Sequence, residues 1–337
     1  MKIAFTLCSV NYLSQALSLG NSLETTNPQY RYIIGLVDRL DSHVFPEEIT
    51  ALMNKFELLE MHTLGIEQFN EMVDKYDITE LNTAVKPFYI DHFFKTIPDI
   101  EQVIYFDPDI LVYEELKELD ENLKTYNFVI TPHIMSPYKD SFEVREQDIN
   151  NTGLYNLGFI AVKYSAESKK FIEWWKERLA RYCYVNMQKG LFVDQIWINF
   201  LPLFFEGTLI ERGLGYNMSY WNLHERTVVK EGEMYSVNGT SLKFYHFSGY
   251  KISAPNVISR YQNRFTFEQR PDIVPLYKGY ENALRENKQI LFGTYKCYYI
   301  KMSESAGLSK KYKTFKREVI KNLIKKMADY YLKKFNY

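Results

Sequence analysis

The chain has 337 residues, 46% hydrophobic and 16% aromatic, with a formal net charge of −1. That is enough apolar mass for one large domain or two ordinary ones. The charge is uneven: from 310 to 337 ten Lys/Arg stand against two acids, so this stretch carries +8 and the remainder −9. An acidic body with its basic residues in one terminal stretch excludes a nucleic-acid binder. Cys8, Cys183 and Cys297 are too scattered for a disulfide framework or a Cys-x-x-Cys zinc site, which fits a reducing, cytoplasmic setting. Met1 to Val10 is too short and too soon polar for a signal peptide, and no run nears the ~20 apolar residues of a membrane-spanning helix.

In chain order, Lys2 to Leu7 reads as a buried strand. Leu13, Ala16, Leu17, Gly20 and Leu23 follow a helical period that Asn27-Pro28 stops. Strands are expected at Tyr32 to Val37 and Leu58 to Thr63, and a helix at Glu47 to Phe56. Asn82 to Phe94 reads as one helix with Pro87 in its first turn. Val103 to Tyr113 follows, two β-favouring runs around Asp107-Pro108-Asp109. Phe128 to Thr131 and Leu154 to Lys163 are β-like, with an aperiodic loop from Ser136 to Asn151 between them. Ser165 can cap a helix whose buried side includes Phe171, Trp174, Trp175 and Leu179. Asp194 to Phe205 reads as an amphipathic helix, Ser241 to Phe247 as a strand and Tyr277 to Asn287 as a helix. Strand–helix alternation over the first ~110 residues argues for an α/β fold with a mainly parallel sheet. Ligands of such sheets bind beyond the carboxyl ends of the strands, where Ser9, Asn11, Tyr12, Asp38 and Asp107-Pro108-Asp109 fall. From about residue 266 the character changes, giving a domain at 1–265 and a C-terminal extension at 266–337. The extension ends in a basic amphipathic helix. That helix suits an anionic membrane surface, or packing on its own domain with its lysines in solvent.

Strand side chains at i and i+2 share a face, so Asp107 and Asp109 can present two hard oxygen ligands to one Mg²⁺ or Mn²⁺. Taken alone, the same residues read first as an Asx-type turn at a strand end. His246 closes a later strand; imidazole suits Mn²⁺ better than Mg²⁺, although a lone histidine is more often structural. Gly249 could let backbone approach a phosphate, and Lys251 could place a charge on it.

The order Asp107-Pro108-Asp109, Asn156-Leu157-Gly158, Asp194-Gln195, His246-Phe247-Ser248-Gly249-Tyr250-Lys251 resembles glycosyltransferase family 8. These are nucleotide-sugar enzymes of the GT-A fold that include bacterial lipopolysaccharide galactosyltransferases and glycogenin. The resemblance spans about residues 1 to 255. It implies a Rossmann-like mixed sheet flanked by helices, with Asp107, Asp109 and His246 on Mn²⁺ and Gly249 and Lys251 on the diphosphate of a UDP-sugar. It implies Lys86 as the basic residue opening the helix before the Asp-Pro-Asp. Two departures stand out: Lys251 comes one residue early with no Pro-Trp after it, and Cys8-Ser9 replaces an acidic pair on the first strand. The stretch Tyr216 to Arg226 looks more like a sister group associated with capsule and surface glycans.

The implied reaction moves a hexosyl group from a UDP-sugar to a hydroxyl of a surface glycan or glycolipid, with retention. Tyr12 becomes the platform for uracil, with Asn11 and backbone near Ser9 on its edge. Asp194 would bind sugar hydroxyls, Gln195 would lie near the reacting carbon, and Asn156 would touch donor or acceptor. Trp221, Asn222 and His224 become candidates for the acceptor pocket. The expected location is the cytoplasm, or the inner face of the membrane through residues 310–337. Two readings compete. A sugar-nucleotide pyrophosphorylase would want a glycine-rich basic loop after the first strand, which Ser9-Val10-Asn11-Tyr12-Leu13 is not. A non-catalytic glycan-binding or membrane-scaffold protein would use the tyrosines and the basic tail and need no metal triad.

Overall fold

A computed structural model describes residues 1–300; the expected basic helix within 310–337 lies outside the described residues. Seven strands form the central sheet. They are β1 (Lys2–Cys8), β2 (Tyr30–Leu36), β3 (Glu57–Glu60), β4 (Gln102–Phe106), β6 (Phe128–Pro132), β7 (Tyr155–Lys163) and an outer strand, Thr208–Ile210. The short β5 (Ile110–Val112) stands apart from them. Across the sheet the order is Thr208–Ile210, β6, β7, β4, β1, β2, β3. β7 runs antiparallel to both β4 and β6, and the other pairings are parallel. The α/β reading therefore holds.

Both faces of the sheet are covered, and the two-residue period of a strand sorts its side chains between two cores. Ile3, Phe5 and Leu7 of β1, and Val103 and Tyr105 of β4, join Tyr89, Phe93, Phe171 and Trp175 from helices Lys86–Thr96 and Ala166–Tyr182. Ala4, Cys8, Ile104 and Phe106 point the other way, toward Leu13, Leu17 and Leu23 of helix Leu13–Thr26. Burial pushes the Cys8 thiol far up and that of Cys297 up to about 12, so both stay neutral core residues.

A third core lies beyond the carboxyl end of β4. There β5 pairs antiparallel with strand Phe244–His246. Leu111, Tyr245 and Phe247 pack with Leu276, Tyr277, Tyr280 and Leu284 of helix Val274–Glu286. Further on, Cys297 and Tyr299 join the main core, and the Tyr298 N–H donates to Asp38 at 2.8 Å. The described residues after 266 are thus packed into the body they follow.

Several elements differ from the sequence reading, each for a local reason. The helix expected over Asn82 to Phe94 is two, Ile78–Ala84 and Lys86–Thr96. Pro87 has no N–H to donate back, so it restarts a helix but cannot continue one. Asp77 and Glu80 cap the first of them reciprocally, at 2.9 and 3.0 Å. The stretch after Asp194 is a 3₁₀ run, Gln195–Phe200, then one turn, Leu201–Phe204, with Pro202 near its start. Helix Glu146–Thr152 interrupts the loop expected from Ser136 to Asn151. The strand expected at Ser241 to Phe247 shortens to Phe244–His246 beside a small sheet that ends at Ser241. Ser165 caps helix Ala166–Tyr182 by accepting from the Ser168 N–H at 3.1 Å. Among the described residues no helix is long and apolar enough to cross a membrane.

Gly279 lies on the exposed side of helix Val274–Glu286, and a methyl there would meet nothing within 4 Å. Gly279→Ala should stabilise the fold by roughly 0.5–1 kcal/mol through lost unfolded-state entropy, read as a higher urea midpoint with unchanged slope.

Candidate active site

β4 ends at Phe106, and the Asp107 N–H continues the ladder to the Gly158 carbonyl at 2.8 Å. Pro108 turns the chain, and Asp109 precedes β5. In the β5 ribbon His246 is registered against Ile110, while the Phe247 N–H donates to the Asp109 carbonyl at 2.8 Å. The pairing carries His246 Nε2 to 3.0 Å from Asp109 Oδ1 and 3.7 Å from Asp107 Oδ2. One ligand atom from each of the three residues falls within a 4.8 Å span. Opposite ligands on one six-coordinate Mg²⁺ or Mn²⁺ stand roughly 4 Å apart, so a small adjustment lets all three hold one cation. Burial disfavours a charged His246, but Asp109 and Asp107 outweigh it and raise its pKa. A cation would serve those carboxylates as that proton does.

Three contacts aim these ligands. The Tyr105 hydroxyl donates to Asp107 Oδ1 at 2.6 Å. Trp221 lies edge-on to the His246 ring at 5.2 Å. Gly158 leaves room for the imidazole, since a Cβ there would stand 2.6 Å from His246 Nδ1.

Lys86 is 1% exposed. Its ammonium is paired with Asp194, donates to the Leu157 carbonyl at 2.9 Å and lies 3.9 Å from the centre of the Tyr105 ring. Lys86 and Asp194 are thus brought together behind Asp107, each committed to the other. Gln195 is equally committed: Oε1 accepts from the Leu157 N–H at 3.1 Å, and Nε2 donates to the Thr152 carbonyl at 2.9 Å. Asn156 is buried beside it and accepts from the Gly158 N–H at 3.1 Å and from Asn217 Nδ2 at 3.0 Å. Asn156 Nδ2 faces His133 Nε2 at 3.2 Å.

Ser9 donates to Asn11 Oδ1 at 2.6 Å, so these two satisfy one another. Tyr12 is 45% exposed. Asp38 is fully buried and accepts the N–H groups of Val10, Arg39 and Tyr298, with His43 Nε2 at 3.2 Å. Gly249 turns with φ +75°, and Lys251 is exposed just beyond it. Trp221 and Asn222 are buried, and His224 Nε2 lies 2.9 Å from the Ser136 carbonyl.

Sequence reasoning missed Tyr105, His133 and Asn217. Tyr105 was readable, because it shares a strand face with Asp107. Asn217, at φ 49°, sits in a backbone region where Asn is enriched. His133 directly follows β6 and had no motif to mark it. Its Nδ1 lies 3.3 Å from the Leu154 carbonyl, which makes Nδ1 the protonated nitrogen and leaves Nε2 to accept from Asn156. Burial pushes its pKa down to about 4.

No protein-family model matches the chain. Two proteins of Bacillus subtilis (strain 168) are similar to it. The uncharacterized protein YfnF is 28% identical over 283 residues, covering 83% of this chain and 90% of YfnF. The uncharacterized protein YfnD is 23% identical over 254 residues, covering 73% and 77%. Among solved structures, the galactosyltransferase LgtC in complex with donor and acceptor sugar analogues matches with a TM-score of 0.50 at 14% identity. The match covers 85% of this chain and 96% of LgtC. The chain has the fold of the GT-A-type glycosyltransferases.

Two measurements test the buried polar groups. Lys86→Met strands the Asp194 carboxylate without its partner and should cost about 3–5 kcal/mol in urea denaturation. His133, neutral in the fold, contributes stability that falls as pH drops from about 6.5 toward 4, because only the unfolded chain gains the proton. Between pH 7 and pH 5 that loss should be about 2 kcal/mol, and His133→Gln should lose correspondingly less over the same interval.

Proposed function

We propose that the protein is a metal-dependent glycosyltransferase that moves a hexosyl group from a UDP-sugar to a hydroxyl of a bacterial surface glycan. The observation that carries the proposal is the convergence of Asp107, Asp109 and His246 beyond the carboxyl end of β4 in a fold of this class. In such a transfer the bond from the anomeric carbon to a diphosphate oxygen breaks and a bond to the acceptor oxygen forms. The acceptor proton leaves with the diphosphate. Mn²⁺ or Mg²⁺ held by the three residues would offset the negative charge that grows on the departing diphosphate. The imidazole in the set favours Mn²⁺.

The chain's own residues supply orientation. Tyr105 fixes the Asp107 carboxylate, and the Lys86 ammonium acts on Asp107 as a fixed positive charge from behind. The Lys86–Asp194 pair and the Asn156–Gln195 amides give a floor whose rotamers are set before substrate arrives. Gln195 is a neutral amide and a poor nucleophile, so its role is to orient or shield the reacting carbon. Retention, with the acceptor approaching from the leaving-group side, follows the family analogy. Tyr12 would stack on the uracil. Asp38 already accepts from four donors, so a ribose hydroxyl reaches it only by displacing one of them.

A cavity of about 570 Å³ beside β6, lined by Met135, Ser136, Glu146, Tyr155 and Arg212 among others, has the mixed polar and apolar surface an acceptor sugar needs. Residues 310–337 would hold the enzyme on anionic lipid at the cytoplasmic face.

Calorimetry of the full chain with UDP should show binding that requires Mn²⁺ and is lost on removal of the metal by chelator. Asp109→Ala and His246→Ala should each weaken it by at least tenfold and abolish slow hydrolysis of a UDP-hexose. Failure of the folded wild-type chain to bind UDP with Mn²⁺ present would overturn the proposal.

A further inference from the structure

We infer that Arg260, which no motif marks, is the cation that receives the donor diphosphate, a role the sequence pattern gives to Lys251; this rests on the UDP-sugar reading above. The glycine turn after His246 does more than free the chain for a phosphate. A Cβ at Gly249 would collide with Ser259 Oγ and stand 2.6 Å from the Tyr261 ring. The bare glycine therefore lets segment 259–261 lie directly against the turn, where the Arg260 N–H donates to the Gly249 carbonyl at 3.2 Å.

The side chain is poised as well. The guanidinium lies over the Tyr261 ring, 4.6 Å from its centre, and Nη2 donates to the Tyr261 hydroxyl. Tyr261 packs on Tyr220, Tyr220 on Trp221, and Trp221 edge-on to His246, at 6.2, 5.0 and 5.2 Å between ring centres. This row of rings ties Arg260 to the metal cluster. Tyr12 and Asp109 both lie within electrostatic reach of the guanidinium. A nucleoside diphosphate whose base rests on Tyr12 and whose oxygens meet the Asp107–Asp109 cluster must carry its phosphates between these points. Arg260, held against the Gly249 turn that follows His246, is the cation we assign to that path. Among the described residues no carboxylate is ion-paired with it, and its side-chain hydrogen bond goes to a neutral phenol. A phosphate oxygen is a stronger acceptor than a phenol, and the planar guanidinium can grip two such oxygens at once.

The test compares UDP and uridine as calorimetric probes of the full chain, with Mn²⁺ present. Arg260→Ala should weaken UDP binding by about 10- to 100-fold and leave uridine binding where it was. Arg260→Lys should recover only part of the loss, because a point charge cannot reproduce the fork. Lys251→Ala should cost less than Arg260→Ala. Equal UDP affinity in Arg260→Ala and wild type, or a larger loss in Lys251→Ala, overturns the assignment while leaving the glycosyl-transfer reading intact. So does an equal loss of uridine and UDP binding in Arg260→Ala, which would place the residue at the base. Absence of UDP binding by the wild-type chain overturns both. Arg260 is exposed, so its variants should keep the wild-type melting temperature.

Discussion

The site depends on the pairing of two three-residue strands. β5 and Phe244–His246 lie outside the seven-stranded sheet, and their ribbon is what brings a histidine to two aspartates 137 and 139 residues earlier in the chain. A slip of one residue would turn His246 to the opposite face and deliver Tyr245 in its place. The register is held from several sides. Tyr245 and Phe247, the alternate residues, are buried against Tyr277 and Tyr280 of helix Val274–Glu286, with the Phe247 and Tyr280 rings stacked 4.0 Å apart. The His246 N–H and carbonyl are taken by the Met218 carbonyl and the Ser219 hydroxyl. The position of His246 against the two aspartates is thus maintained largely by apolar packing on the far side of the strand.

Behind the ribbon the polar groups are arranged so that few retain freedom. Lys86 and Asp194 spend their charges on each other, and the side chains of Asn156, Gln195 and Asn217 bond to one another or to backbone. A buried network whose members are mostly satisfied is stiff. Stiffness is what the proposed transfer needs, since its barrier would depend on holding donor and acceptor within bonding distance. Tyr12, Lys251 and Arg260, by contrast, are exposed.

The sheet was legible because both of its faces are buried: β1, β4 and β7 read as short continuous apolar runs, and their sorting between two cores follows from the period alone. Asp107-Pro108-Asp109 was legible because a strand end, a proline and two acids at i and i+2 state their geometry locally. His246 was a candidate ligand from its place at a strand end, but only the resemblance to a known motif joined it to the two aspartates, since they are distant in sequence. Lys86 shows the limit most plainly. Its sequence context says helix start and positive charge, whereas its burial against Asp194 follows from where β7 and the 3₁₀ run meet. Arg260 was hidden for the opposite reason: it lies in an irregular stretch with no period, and only the contact between Gly249 and Tyr261 gives it a position.

Asp38 ties together parts of the chain made at very different times. Its carboxylate accepts the Val10 N–H, at the start of the loop that carries Tyr12, and also the Tyr298 N–H. Those two donors lie near opposite ends of the described chain, 288 positions apart. A ribosome adding roughly 5–20 residues per second needs on the order of ten seconds to a minute to travel from one to the other. The loop that carries Tyr12 is therefore made well before it is completed, because the buried carboxylate beneath it gains its Tyr298 donor only at the end of that interval.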